Sequence, residues 1–208
     1  MPRPILYYVR HGLTDWNAAG RLQGRRDIPL NAEGRVQAVR CADILADLFA
    51  CEGRGPQAYD YVSSPLVRAR ETMDVVRATL GLDPAGYLID ARLAEISFGD
   101  WEGLTYQDVL VFDPDIVAKR EGKKWDFLPP GGESYEQLAE RVGAWYAAIE
   151  RDTVVTAHGG TARALAALTG VAQRDDAAHV SIEQAANVWP LVPPKKSNAE
   201  MEIHDHNK

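Results

Sequence analysis

The feature that most constrains this chain occurs twice: a short apolar run that stops at a histidine followed by glycine. Residues 4–9 are rich in Ile, Leu, Tyr and Val, read as a buried strand, and end at Arg10-His11-Gly12. Thr153 to Ala157 reads the same way and ends at His158-Gly159-Gly160. Amphipathic stretches lie between these runs. Asn31 is placed as the N-cap of a helix reaching about Ala50, with Val36, Val39, Ile44, Leu45 and Leu48 on its inner side. Tyr59 to Ser63 reads as a second short strand. Ser64-Pro65 then opens a helix to about Leu80, with Ser64 as cap and Pro65 at its first position.

The rest of the chain continues the alternation. Residues 86–94 hold a strand-like run, Tyr87-Leu88-Ile89. Residues 104–128 read as short helices broken at Pro114 and Gly122, and Glu133-Ser134 starts a helix to about Ile149. A helix is expected from Thr161 to Leu168. Strand-like pieces follow at Val180-Ser181-Ile182, Asn187-Val188-Trp189 and Met201-Glu202-Ile203. Strands alternating with helices imply an α/β fold: a three-layer sandwich, mainly parallel, with helices on both faces of the sheet. With 208 residues and no linker-like tract, one domain over 1–208 is expected, with a small helical excursion at about 104–130.

The totals exclude some functions. A net charge of −7 argues against a nucleic-acid surface, which needs a broad basic field. No run approaches the ~20 apolar residues of a membrane span, and no signal-like segment opens the chain. Cys41 and Cys51 read as reduced thiols, so the expected compartment is the cytoplasm. His204-Asp205-His206 offers two histidines on one side of an extended segment and reads as a polar tail, not a metal site.

In a parallel sheet the two histidines fall at the same carboxyl edge, where ligands bind in open α/β sheets. The adjoining glycines let backbone approach a small ligand, and helix starts nearby offer free N–H groups to an anion. Histidines beside arginines, without metal-type carboxylate spacing, point to phosphate chemistry, because guanidinium pairs with phosphate and stays charged.

Six segments in order carry a resemblance. They are Arg10-His11-Gly12-Leu13-Thr14-Asp15-Trp16-Asn17; Asp27-Ile28-Pro29-Leu30 with Gly34 and Gln37-Ala38; and Ser63-Ser64-Pro65-Leu66-Val67-Arg68-Ala69-Arg70-Glu71-Thr72. Glu95 with Phe98-Gly99 and Trp101-Glu102-Gly103 follows, then Gly131-Gly132-Glu133-Ser134, then His158-Gly159-Gly160. Over nearly its whole length the chain resembles the histidine phosphatase superfamily, whose fold is phosphoglycerate mutase-like. The resemblance implies that His11 carries the phosphoryl group, its other ring nitrogen held by a backbone carbonyl near Gly12. It implies that Arg10, Arg68 and His158 hold the phosphoryl oxygens, with Asn17 as a neutral donor. Glu95 is implied to protonate the leaving oxygen and later deprotonate water, with Asp100 and Glu102 as nearby competitors.

Gln23-Gly24 matches the substrate loop, and Gly159 belongs to the last motif. Of Arg21, Arg25 and Arg26, one is expected to touch substrate, with Arg21 named for it, and Trp101 is expected to pack. Mutases of the family carry a tyrosine three residues after the acid and paired arginines in a longer insertion. Here Phe98 stands in the first place, and the excursion offers Lys119, Arg120, Lys123 and Lys124, of which Arg120 or Lys123 is the candidate to reach substrate. A phosphatase acting on a small phosphorylated metabolite is therefore favoured over a cofactor-dependent phosphoglycerate mutase. A non-catalytic phospho-ligand binding module is the third alternative. No metal and no organic cofactor are implied, since the histidine is itself the carrier. The oligomeric state, a homodimer included, stays open.

Overall fold

The computed structural model describes residues 4–182 and 188–191. In chain order the elements are β1 (Leu6–Arg10), α1 (Asp15–Ala18), α2 (Ala32–Cys51), β2 (Asp60–Ser63), α3 (Val67–Thr79) and β3 (Leu88–Ile89). They continue with α4 (Tyr106–Phe112), α5 (Pro114–Gly122), α6 (Tyr135–Ala147), β4 (Thr153–Ala157), α7 (Gly159–Leu168), α8 (Arg174–Ala177) and β5 (Val188–Leu191). The sheet order is β3-β2-β4-β1-β5. The first four strands are parallel, and β5 runs antiparallel to β1. Among the described residues no helix is long and apolar enough to cross a membrane.

The period-2 alternation of β1 divides the core. Tyr7 and Val9 face α2 and α3, packing with Cys41, Leu45, Phe49, Met73 and Val76. Leu6 and Tyr8 face α6 and α7, packing with Leu138, Val142, Trp145 and Leu165. A strand buried on both faces reads as a continuous apolar run, and that is how residues 4–9 read. A third, smaller cluster holds the excursion: Trp101, Val109 and Val117 pack with Leu22, Phe98 and Phe127. Trp101 stacks on Phe127 with ring centroids 5.5 Å apart, so it packs as expected.

Four expectations change. Val36 and Val39 are 46% and 40% exposed. The buried face of α2 is instead Gly34, Ala38, Cys41, Ala42, Leu45 and Phe49. The cause is a backbone contact: a Cβ on Gly12 would lie 2.2 Å from the Gly34 carbonyl oxygen, and one on Gly34 would lie 2.2 Å from the Leu13 oxygen. This close seam sets the rotation of α2 and turns both valines outward. Second, α3 begins at Val67 with Leu66 as its N-cap, and no capping side chain comes from Ser64. The Asp27 carboxylate accepts from the Val67 N–H instead, at 2.6 Å. Third, α7 starts at Gly159, directly after His158, two residues earlier than expected. Fourth, Val180-Ser181-Ile182 is not a strand; the carbonyls of Val180 and Ile182 accept instead from Arg163 and Arg10. Asn187, Met201-Glu202-Ile203 and His204-Asp205-His206 lie outside the described residues.

Candidate active site

Register places the chemistry. Arg10 pairs with Ala157, and Ser63 pairs with Thr156, so β1, β4 and β2 end level with one another. The next residue of each strand continues the line: His11 N–H donates to the Ala157 oxygen at 2.9 Å and Ser64 N–H to the Thr156 oxygen at 3.0 Å. His11, His158 and Ser64 therefore share one edge of the sheet. The two imidazole centroids are 5.2 Å apart.

His11 is 2% exposed, and its Nδ1 lies 2.7 Å from the Gly12 oxygen. That carbonyl can only accept, so Nδ1 carries the ring hydrogen and Nε2 keeps its lone pair. Burial, then the charges of Arg68 and Arg10, hold His11 well below its ordinary value of 6.5. His158 is fully buried and is lowered likewise, by burial first and then by Arg68, His11 and Arg10. Its carbonyl accepts from the Tyr8 hydroxyl at 2.6 Å, and its Nε2 lies 2.6 Å from Ser64 Oγ.

Two guanidiniums, the buried Arg68 and the half-buried Arg10, border the same edge. Arg68 is 1% exposed and donates to the carbonyls of Arg26 (2.7 Å) and Gly24 (2.8 Å). Burial lowers it from 12.5 to about 10. Arg10 donates to the Ile182 carbonyl and is also lowered by burial. Neither forms an ion pair among the described residues. Arg10 Nε, Arg68 Nε and His158 Nδ1 are buried without a hydrogen-bond partner there. Unpartnered buried polar atoms of this kind cost ~1–3 kcal/mol each, and an anion is the group that satisfies the two guanidinium donors.

Glu95 lines the same cleft, a space of about 150 Å³ bordered also by Asn17, Arg21, Gln23, Gly24, Phe98, Gly159 and Arg163. Its carboxylate accepts from the N–H groups of Ile96 (2.9 Å) and Gly160 (3.1 Å). A Cβ at residue 160 would lie 2.3 Å from Glu95 Oε1, so only glycine allows this approach. The competing acids are elsewhere. Asp100 is exposed. Glu102 binds Arg25 N–H, Ser97 Oγ and Arg26, fastening the loop below the cleft. Of the three loop arginines, Arg21 borders the cleft, whereas Arg25 and Arg26 pair with Glu133 and Glu102. Asn17 Oδ1 accepts from the N–H and hydroxyl of Thr14, which leaves its NH₂ group uncommitted.

Three contributors escaped the sequence. Arg141 donates to the carbonyls of Arg92 (2.6 Å), Ala94 (2.7 Å) and Glu95 (3.1 Å) while gripping Glu133 with two bonds of 2.8 Å. The Glu133-Ser134 motif thus serves to hold, through Arg141, the backbone that carries Glu95. Arg163 borders the cleft and is held by the Val180 carbonyl and Tyr135 hydroxyl. Ser64 meets His158. An arginine mid-helix carries no local signal of such roles. From the excursion, Arg120 pairs with Glu121 at 2.8 Å. Neither Arg120 nor Lys123 borders this cleft.

Comparison with known proteins agrees with this geometry. The model of the histidine phosphatase superfamily (branch 1) matches residues 6–193. The chain belongs to the histidine phosphatase superfamily. A glucosyl-3-phosphoglycerate phosphatase of Mycolicibacterium vanbaalenii is 37% identical over 180 residues, 80% of this chain and 74% of the relative. The phosphoglycerate mutase-like protein 4 of Arabidopsis thaliana is 37% identical over 164 residues, 76% of this chain and 67% of the relative. Among solved structures, a mycobacterial glucosyl-3-phosphoglycerate phosphatase in complex with VO3 superposes with a TM-score of 0.73 at 30% identity, over 90% of both chains. The fold is therefore the phosphoglycerate mutase-like α/β fold, and the chain is an enzyme of this superfamily.

Proposed function

We propose that this enzyme is a phosphomonoester hydrolase that works through phosphohistidine at His11. The observation that carries the reading is the pairing of a neutral, carbonyl-anchored imidazole with one buried and one half-buried guanidinium, Arg68 and Arg10, that lack carboxylate partners among the described residues. His11 Nε2 attacks phosphorus. The P–N bond forms as the P–O ester bond breaks, and Glu95 gives its proton to the departing oxygen. Water then attacks phosphorus, Glu95 takes a proton from it, the P–N bond breaks, and orthophosphate leaves with His11 restored. Arg10, Arg68 and His158 hold the three phosphoryl oxygens, and Asn17, Arg21, Gln23, Gly24 and Gly159 border the rest of the substrate. In a loose transition state, such placed charges supply most of the acceleration.

The names of the relatives support a small phosphorylated metabolite as substrate, and glucosyl-3-phosphoglycerate is the first compound to try. Relatives named as phosphoglycerate mutases keep isomerisation as the second reading. Phe98 at the cleft wall, with neither Arg120 nor Lys123 among the residues that border the cleft, supports hydrolysis, because a mutase must clamp a bisphosphorylated intermediate and keep water out. The reading calls for one catalytic domain and for no metal or organic cofactor, because His11 is the carrier. A cytoplasmic setting belongs to it and is supported by the free thiols of Cys41 and Cys51. The test is orthophosphate release from a panel of phosphorylated metabolites, run beside an assay for 2- and 3-phosphoglycerate interconversion. Phosphate release without interconversion is expected. Interconversion without net release would instead make the enzyme a mutase.

A further inference from the structure

The two site histidines are anchored in opposite ways. His11 gives its Nδ1 hydrogen to the Gly12 carbonyl, leaving Nε2 as the nucleophile. His158 meets a hydroxyl rather than a carbonyl, so its proton position depends on what that hydroxyl does. Ser64 is fully buried, and its Oγ already accepts from the Leu66 N–H at 3.3 Å. No carbonyl or carboxylate among the described residues accepts the Ser64 hydroxyl hydrogen. The one acceptor within reach is His158 Nε2, at 2.6 Å. A neutral imidazole has one donor and one acceptor nitrogen. If Nε2 accepts, the ring hydrogen sits on Nδ1, which is buried and unpartnered among the described residues in a ring whose centroid lies 5.2 Å from that of His11.

We propose that Ser64 is a positioning residue that fixes the Nδ1–H tautomer of His158, so that this ring presents a hydrogen-bond donor to the transferring phosphoryl group. The part about phosphoryl transfer rests on the phosphohistidine reading. The tautomer itself does not. The surroundings hold Ser64 for the task. Its N–H binds the Thr156 oxygen at 3.0 Å, and its carbonyl accepts from Ser63 Oγ, which in turn accepts from Thr156 Oγ1, each at 2.9 Å. Pro65 restricts Ser64 to extended backbone, which keeps it out of the helix it precedes. Thus a serine-proline pair that looks like a helix cap serves a ring on a neighbouring strand. The opposite tautomer would aim a lone pair at a phosphoryl oxygen and repel it. A wrong tautomer in an otherwise intact site has a large kinetic cost in hydrolases that depend on one.

The experiment is long-range ¹H–¹⁵N correlation on histidine-labelled full-length enzyme at neutral pH, with His158 assigned from the spectrum of His158→Gln. Wild type should show His158 protonated at Nδ1, and Ser64→Ala should move the population toward Nε2–H. A wild-type spectrum with His158 protonated at Nε2 overturns the proposal, even if Ser64→Ala does not fold. Kinetics supply the second arm, with p-nitrophenyl phosphate as substrate. Ser64→Ala should lower kcat/KM ~10- to 10²-fold, less than the ~10²–10³ that a lost oxyanion donor costs, because the ring itself remains. In the His158→Ala background the same change should cost less than ~3-fold, since coupled residues are non-additive. Equal costs in both backgrounds overturn the role. If His158→Ala itself proves harmless while the tautomer is as described, the phosphoryl-transfer reading fails and the Ser64 anchor stands.

Discussion

Arg68 offers a test in which stability and activity should part company. The perturbation is Arg68→Met, which keeps length and most of the volume but removes the charge. The guanidinium is 1% exposed, and burial lowers it from 12.5 to about 10. That fall corresponds to about 3 kcal/mol of unfavourable burial, at ~1.36 kcal/mol per pKa unit. Against this stand its two hydrogen bonds. The Arg26 carbonyl belongs to an exposed residue and regains water. The Gly24 carbonyl belongs to a buried residue, and stranding it costs ~1–3 kcal/mol. Relief and loss nearly cancel, so the variant should unfold within ~1.5 kcal/mol of wild type, a few degrees in Tm for a chain of this size. Breaking a well-paired buried ion would instead cost ~3–5 kcal/mol. Activity should behave oppositely. A guanidinium on the transferring phosphoryl group is worth ~10³-fold or more, so kcat/KM should fall by at least that. The assay is urea unfolding followed by circular dichroism, run beside p-nitrophenyl phosphate hydrolysis and thermal melts with added vanadate. Wild type should gain stability with vanadate and the variant should not. Destabilisation beyond ~3 kcal/mol, or retained turnover, would refute the idea that Arg68 is a charge held ready for an anion.

Further tests address the acid and the histidines. Glu95→Gln should slow hydrolysis of alkyl phosphates ~10²–10⁴-fold, while phosphorylation of His11 by p-nitrophenyl phosphate changes far less and phosphoenzyme accumulates; single-turnover kinetics with both substrates decide it. Gly160→Ala places a Cβ 2.3 Å from Glu95 Oε1, so it should reproduce the Glu95→Gln preference for aryl over alkyl esters, read in the ratio of the two kcat/KM values. For pH, both site imidazoles are lowered in the folded state. The unfolded chain therefore binds more protons below about pH 6.5, and the stability present above that value is lost as pH falls through it. Each imidazole contributes up to ~1.4 kcal/mol per pH unit. Urea midpoints between pH 7.5 and 5.5 should fall more steeply for wild type than for His11→Asn.

The sequence revealed what is encoded locally. Arg10-His11-Gly12 and His158-Gly159-Gly160 were readable because strand, site residue and turn are contiguous. The cap at Asn31 and the helix start at Glu133-Ser134 were readable because capping spans three residues. What was hidden depends on contacts between distant segments. Ser64-Pro65 reads as a helix start whether its hydroxyl serves a helix or a ring 94 residues away. Glu95, and not Asp100 or Glu102, lines the cleft, because its carboxylate meets the start of α7 and its carbonyl is held by Arg141, 46 residues downstream. Val36 and Val39 fit an inward stripe, yet the Gly12–Gly34 backbone seam decides the rotation of α2. Arg163 carried no signal, because a helical arginine is ordinarily solvated.

The central claim is that phosphorus passes through a covalent bond to His11. The most direct measurement is rapid quenching of enzyme mixed with a ³²P-labelled phosphomonoester, followed by base-stable, acid-labile peptide mapping. The account predicts a transient label on the peptide containing His11, an accumulating one in Glu95→Gln, and none in His11→Ala, which should also lack turnover. Steady hydrolysis with no label, a label on another residue, or near wild-type turnover in His11→Ala would contradict it.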